Sequence, residues 1–435
     1  MIFLYRFLYP IFFIILLPYY LRRILKRGGY GKKIRYRLGL WPNLLPKSSN
    51  KKRIWIQAVS VGELSSINTL LQSFINDPKI EVVLSGTTST GQIIAEQKHA
   101  KHVLASGPFP LDWFPFSSLA WSRIQPDLAI CVDSELWPEH MHQAKKRDIP
   151  FFIINARLSN RSFSRLSSLG IFRNLLVPKN LRILASSEKQ RQRWIKIGLN
   201  EKKTRNTGNL KLDIAPHNPT SEEIKVRKKK ELGFPASSIV LVGISTWPGE
   251  EEFLLQCLAE IREKKLDARL LLIPRHAERR EEILGNLNTS PFSFQQRTCP
   301  NENQSETLVY LADTTGELNQ LIQSADLAFL GKTLPPRHEG QNPIEPISIG
   351  LPLVVGPKCT NFTETCDELL IRGAVQQGET SDKVKKIILQ LFQSEGQREK
   401  MSKAGLEWRK EQGSPTQKTC EELLNYLDSP TKPSS

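Results

Sequence analysis

Several chemistries are missing from this chain before any can be assigned to it. Its six cysteines, Cys131, Cys257, Cys299, Cys359, Cys366 and Cys420, include no CxxC pair, and its seven histidines are scattered. Neither a zinc site nor a disulfide framework fits that spacing, and thiols in mostly apolar or mixed segments suit a reducing cytosol. No segment matches a P-loop and no GxGxxG follows a first strand, which disfavours NTP hydrolysis and dinucleotide redox chemistry. Fixed-period repeats are absent. Acidic residues are scarce, 44 Asp+Glu against 61 Lys+Arg, for a net charge of +17. That balance implies an anionic partner: nucleic acid, acidic lipid or a phosphorylated substrate.

The N-terminus narrows the choice. Phe7 to Leu21 carries no charge, and Arg22, Arg23, Lys26, Arg27, Lys32, Lys33, Arg35 and Arg37 follow it. The uncharged run is shorter than the ~20 residues of a comfortable span, and Pro10 and Pro18 interrupt it, so a transmembrane helix and a shallow in-plane anchor are both open. In either case the basic collar faces the cytosol and acidic lipid. A cleaved signal peptide fits poorly, because no small-residue cleavage site follows Leu21 and the positive charge lies on the wrong flank.

At 435 residues and 39% hydrophobic content the chain can bury two domains. Apolar runs at Ile54 to Val59, Val82 to Leu84, Leu128 to Val132, Phe151 to Ile154 and Ile183 to Ala185 read as buried parallel strands. The pattern breaks at a polar linker and resumes at Ile239 to Ile244, Leu270 to Ile273, Leu308 to Leu311, Leu327 to Leu330 and Leu353 to Val355. The expected organisation is an anchor with its collar over 1–37, an α/β domain over 38–215, a linker over 216–223, a second α/β domain over 224–428 and a loose tail over 429–435. Two doubly wound halves facing each other make a cleft, the usual location of a site.

Ligands of doubly wound sheets sit outside the carboxyl ends of the strands. There, Ser60-Val61-Gly62-Glu63 follows the first strand and starts a helix. A partly desolvated carboxylate at Glu63 can act as general base, or it can simply complement the helix N-terminus. Ser85 to Gly91 (SGTTSTG) offers hydroxyls to an acceptor sugar, or forms an ordinary polar turn. Asp133, Glu135 and Lys211 stand at strand ends and can steady developing charge or form structural ion pairs. In the second half, Ser245 and Thr246 precede a helix containing Gly249, Glu250, Glu251 and Glu252, whose backbone N–H groups could hold a phosphate. Pro274, Arg275 and His276 end a strand and put a guanidinium where a phosphate would lie. Thr315, Gly316 and Glu317 open another helix on the same edge. Asn342, Pro343, Ile344 and Glu345 have a helix-start pattern, with Asn342 as N-cap, Pro343 at the first helical position and Glu345 at the third. Glu345 can accept hydrogen bonds from a ribose diol, or only close a capping box.

Taken in order, SVGE, SGTTSTG, DSELWP, NARLSNRS, GNLKLD, STWPGEEE, LLIPRH, TGEL, QNPIEP and NFTE resemble the transferases that place Kdo (3-deoxy-D-manno-octulosonic acid) on lipid A in Gram-negative bacteria. The resemblance runs from about Ile54 to Leu370. It implies a GT-B glycosyltransferase with CMP-Kdo as donor and a lipid A precursor (lipid IVA) as acceptor. It also implies inversion at the anomeric carbon without a metal or other cofactor, and a seat on the cytoplasmic face of the inner membrane among acidic lipids. By position Glu63 would be the general base, and Asp133 and Lys211 would support the transition state. Pro274, Arg275, Thr315, Gly316, Glu317, Asn342, Pro343, Ile344 and Glu345 would bind CMP. The chain departs from the family in having Asp133 where Glu is usual, Trp247 where His is usual, and Glu339-Gly340-Gln341 in place of Gly-Gly-His. Two rivals are a UDP-sugar transferase acting on a polyprenyl acceptor and an anchored nucleic-acid binder. Against nucleic acid, no aromatic-interleaved basic stripe or binding motif is present.

Overall fold

The computed structural model describes residues 1–26, 31–44, 46–48, 50–58, 60–170, 173–178, 180–216, 218–300 and 306–428. The expected loose tail, Arg27 of the collar and His217 of the linker lie outside the described residues. The chain folds as two compact units, Met1–Ile214 together with the helix Pro415–Asp428, and Ala215–Gly413.

In the first unit seven parallel strands form one sheet. They are β1 (Lys52–Gln57), β2 (Ile80–Gly86), β3 (Ala105–Pro108), β4 (Leu128–Val132), β5 (Phe151–Ala156), β6 (Leu181–Ala185) and β7 (Thr204–Asn206). Their order is β3-β2-β1-β4-β5-β6-β7, so the winding reverses between β1 and β4. The central strands are buried on both faces, as continuous apolar runs require once helices cover both sides of a parallel sheet. One face holds an aromatic cluster in which Trp55 meets Trp121 at 5.2 Å, Phe109 at 5.5 Å and Trp41 at 6.3 Å between ring centroids. The other face buries Ile54, Ile56, Leu70, Phe74 and Ile154.

The second unit repeats the design with β8 (Ile239–Thr246), β9 (Ala268–Pro274), β10 (Phe294–Gln296), β11 (Val309–Leu311), β12 (Leu327–Leu330), β13 (Leu353–Val355) and β14 (Val375–Gln377). The order β10-β11-β9-β8-β12-β13-β14 reverses between β8 and β12. Its core gathers Leu241, Leu254, Leu258, Leu270, Leu272 and Phe329 between sheet and helices. Both sheets have the topology expected of doubly wound α/β units.

The chain differs from the expected domain limits at both ends. The helix Pro415–Asp428 packs with the first unit, because Asp213 Oδ2 accepts the Thr416 N–H at 2.6 Å and the Ser414 hydroxyl at 3.4 Å, while Thr419 donates to Thr207 at 2.9 Å. Part of the collar is also structural. Lys33 Nζ donates to Glu96 at 2.8 Å and to the Ser106 carbonyl at 3.0 Å, and the buried Arg37 donates to the Phe109 carbonyl at 2.6 Å. Beside them the Tyr36 ring lies so close to Gly107 that any Cβ there would sit 2.3 Å from it, so β3 needs glycine at that position.

Candidate functional site

Each sheet presents chemistry at its own switch point. At the end of β1, Ser60 caps the helix Val61–Ser66: its hydroxyl accepts the Glu63 N–H at 3.3 Å and donates to Glu63 Oε1 at 3.3 Å. The helix-start reading of Glu63 is therefore realised, and the same placement sets its carboxylate at the carboxyl edge of the sheet. Val59 lies outside the described residues.

Across the switch point, Asp133 follows β4 with a left-handed backbone (φ +63°), which turns its side chain into a cluster of donors. Asn155 Nδ2 donates to Oδ1 at 2.6 Å and Arg157 Nη2 to Oδ2 at 2.7 Å. Asn155 is itself left-handed (φ +51°), and its Oδ1 accepts the Leu210 N–H at 3.1 Å, which fixes the short turn carrying Lys211. Three separate sequence blocks, VDSELWP, NARLSNRS and GNLKLD, thus converge on one constellation. Spacing alone does not single out Asn155 and Arg157, since nothing in the block NARLSNRS shows that two of its side chains hold Asp133. Glu135 lies beside this group. Burial, then the charge of Asp133, pushes its carboxyl up to about 7. Burial raises the Cys131 thiol well above its usual range, with the charges of Glu135 and Glu63 adding to it, so both carboxylates bear on the end of β4.

The SGTTSTG segment is the polar turn rather than an exposed row of hydroxyls. The Ser85 hydroxyl donates to Gln57 at 2.8 Å and accepts the Trp55 indole N–H at 2.9 Å; Thr87 accepts from Gln57 at 2.7 Å, and Thr88 caps the helix Ser89–His99.

In the second unit, β8 ends at Ser245 (φ +53°) and Thr246, and the Arg275 N–H donates to the Thr246 carbonyl at 3.1 Å, so the ends of β8 and β9 lie side by side. Pro274 closes β9 and Arg275 is exposed; among the described residues its guanidinium has no side-chain partner. The helix that follows, Glu250–Glu263, begins at the left-handed Gly249 (φ +90°), and its acidic first turn has a structural task. The buried Glu250 carboxylate already accepts the backbone N–H groups of Trp247 (2.9 Å), Lys332 (2.8 Å), Thr333 (3.0 Å) and Leu334 (3.3 Å). An acidic first turn thereby anchors the loop after β12. Burial raises the Glu250 pKa against the lowering effect of these four donors.

Around that loop the Lys332 ammonium lies 4.4 Å and the Arg337 guanidinium 4.9 Å from the centroid of the Trp247 ring, which also meets His276 edge-on at 5.2 Å. Both cations are held against the aromatic face at the end of β8, and Lys332 also pairs with Glu339 at 3.4 Å. Glu317 stands at the start of the helix Leu318–Leu321, behind Thr315 and the left-handed Gly316. Its carboxyl is lowered by hydrogen bonds from Thr314 and Arg297, the latter at 2.8 Å. The helix near Asn342 starts one residue later than expected. It runs Ile344–Ser348 with Pro343 at the cap position, and Asn342 Oδ1 accepts the Ile344 N–H at 3.2 Å. Glu345, half-buried, is therefore in the second helical position rather than the third. A groove of about 350 Å³ lined by Lys225, Asp326 and Arg398 lies at the amino ends of β12 and β13, the edge opposite these residues.

A family model described as 3-deoxy-D-manno-octulosonic-acid transferase (kdotransferase) matches residues 32–214. A 3-deoxy-D-manno-octulosonic acid transferase of Haemophilus influenzae is 30% identical over 413 residues, covering 93% of each chain. One from Bordetella pertussis is 26% identical over 384 residues, 86% of this chain and 87% of that one. The UDP-GlcNAc 2-epimerase of Neisseria meningitidis, solved with UDP-GlcNAc bound, aligns with a TM-score of 0.57 at 14% identity over 86% of this chain and 100% of its own. That likeness concerns the fold alone, two parallel seven-stranded α/β sheets of the GT-B kind.

Proposed function

This chain belongs to the 3-deoxy-D-manno-octulosonic acid transferase family and is a glycosyltransferase, and we propose that it moves Kdo from CMP-Kdo to a lipid A precursor, lipid IVA, with inversion at the anomeric carbon. The acceptor hydroxyl gives its proton to Glu63 as its oxygen bonds to the anomeric carbon of Kdo. The bond from that carbon to the CMP phosphate oxygen breaks, and its electron pair leaves with CMP. Asp133, held by Asn155 and Arg157, and Lys211 on the turn that Asn155 fixes, support the charge that develops.

The donor's phosphate is met by Arg275 and its ribose by Glu345, with Pro274, Thr315, Gly316, Glu317, Asn342, Pro343 and Ile344 shaping the nucleotide site. The observation that carries this reading is the convergence on Asp133 of side chains and backbone from three blocks of the first unit, facing the end of β1 where Glu63 begins its helix. A fixed array of charge at a switch point is what a reaction with a departing phosphate needs. The N-terminal helix and its basic neighbours serve as an anchor at the cytoplasmic face of the inner membrane, among acidic lipids.

Nucleotide preference tests the donor assignment. Because a ligand that binds only the folded state raises apparent stability, CMP should raise Tm in a concentration-dependent way while UDP at equal concentration should not. Protection by UDP alone would favour a UDP-sugar donor.

A further inference from the structure

The described residues decide how the anchor meets the membrane, a point the sequence leaves between a span and an in-plane helix. The helix Ile2–Lys26 is 25 residues long, about 37 Å at the usual rise, and nothing in its composition forbids a crossing. Its first turns, however, are fastened to the first unit. The Tyr5 hydroxyl donates to Asp112 at 2.7 Å, Arg6 makes a two-pronged ion pair with Glu139 at 2.8 and 2.9 Å, and the Trp113 indole donates to the Arg6 carbonyl at 2.9 Å. Glu139 is 0% exposed, and Asp112, also buried, accepts the Glu139 and His140 backbone N–H groups. Opening this clasp would strand a buried carboxylate without its cation, which proteins strongly resist.

The chain beyond the helix returns to the same unit: Lys33 pairs with Glu96 and Arg37 with the Phe109 carbonyl. From Lys26 to Gly31 the chain can reach at most ~18 Å, too short to recross a hydrocarbon core of about 30 Å. Both ends of the helix therefore stand on one side.

The surface of the helix agrees. Tyr5, Tyr9 and Phe13, at i, i+4 and i+8, stack along one face, with centroids 5.7 and 6.0 Å apart. Phe3, Phe7 and Ile14 project from the other face, 77%, 69% and 67% exposed. Ile34, Leu38 and Leu40 are exposed as well, as are the basic Arg22 and Arg35. That pairing matches a bilayer of acidic phospholipid, apolar tails under anionic headgroups.

We infer that the N-terminal helix lies in the surface of an acidic membrane, clasped to the first unit by Asp112 and Glu139, and does not cross the bilayer. This rests on the anchor reading above. To test it, the full chain carrying a protease-cleavable peptide ahead of Met1 is expressed, and sealed inside-out inner-membrane vesicles are treated with the protease before and after detergent. Cleavage to completion without detergent, from protein that stays with the vesicles through a salt wash, is expected. A vesicle-bound protein whose peptide is cut only after detergent overturns the in-plane placement while leaving an anchor intact. A protein that washes off overturns the anchor itself and this inference with it.

Discussion

Replacing Glu250 by glutamine removes one charge and swaps one acceptor for a donor, at a residue that bonds no substrate in the proposed reaction. The wild-type carboxylate accepts Thr333 N and Leu334 N on Oε1 and Trp247 N and Lys332 N on Oε2. A glutamine can satisfy only one of these pairs with its single oxygen. It should turn that oxygen to Thr333 and Leu334, both buried, and leave its NH2 against Trp247 N and Lys332 N, which are half-buried. An unmet buried donor costs about 1–3 kcal/mol, and partial access to water puts these two near the low end, so the loss should be roughly 2–3 kcal/mol. Glu250→Ala strips all four and should cost about 4 kcal/mol or more by the same count. For units of this size each kcal/mol moves Tm by about 2–4 °C, so Gln should lower it by roughly 5–10 °C. Calorimetry on the wild type and both variants, with and without CMP, reads the effect. Because the loop anchored by Glu250 runs on to Asn342, Pro343, Ile344 and Glu345 of the proposed nucleotide site, affinity for CMP should fall together with stability. Equal melting temperatures for wild type and Glu250→Gln would refute the view that this carboxylate holds the loop.

Glu63→Gln should abolish transfer while leaving CMP affinity within error, since an amide keeps the shape but takes no proton; more than about a tenth of wild-type activity would contradict a general base, which typically contributes 10²–10⁴-fold. Arg275→Ala should weaken CMP but not cytidine, whereas Glu345→Ala should weaken both; titration calorimetry on the two ligands distinguishes a phosphate contact from a ribose contact. Glu135 gives a pH signature: with its carboxyl raised to about 7 in the fold, its stabilising contribution is fully present below the ordinary glutamate range near 4.5 and is lost as pH rises through 7. Melting curves across that window should therefore show Glu135→Gln gaining on the wild type as pH rises, and parallel curves would count against the shift.

Much of this was legible in the chain because buried parallel strands advertise themselves. Leu128–Val132, Leu327–Leu330 and Leu353–Val355 are found where their apolar runs lie. The strands that the pattern misses, β3 (ASGP), β7 (TRN), β10 (FQQ) and β14 (VQQ), are the outer strands of the two sheets, short and partly polar, as edges tend to be. Gly107 and Pro108 even argue against a strand, and only the Tyr36 ring explains the glycine. Sequence order groups the helix Pro415–Asp428 with the second domain, because nothing local announces that Asp213, some two hundred positions away, accepts the Thr416 N–H at its start. At the site, residue types at strand ends pointed to Glu63, Asp133, Arg275 and Glu345. What could not be read was which polar groups already satisfy one another. That Glu250 gathers four backbone N–H groups, three of them from the loop after β12, and that Asn155 with Arg157 holds Asp133, depends on left-handed turns and loop closures that one-dimensional spacing does not encode.

Transfer of Kdo from CMP-Kdo to a lipid A precursor can be read by mass spectrometry of a tetra-acylated lipid A precursor incubated with CMP-Kdo and the purified full chain. The acceptor should gain the mass of one or more Kdo residues, with CMP released in equal number, and Glu63→Gln should leave its mass unchanged. An unmodified acceptor with the wild-type protein, under conditions where CMP raises its melting temperature, would contradict the assignment.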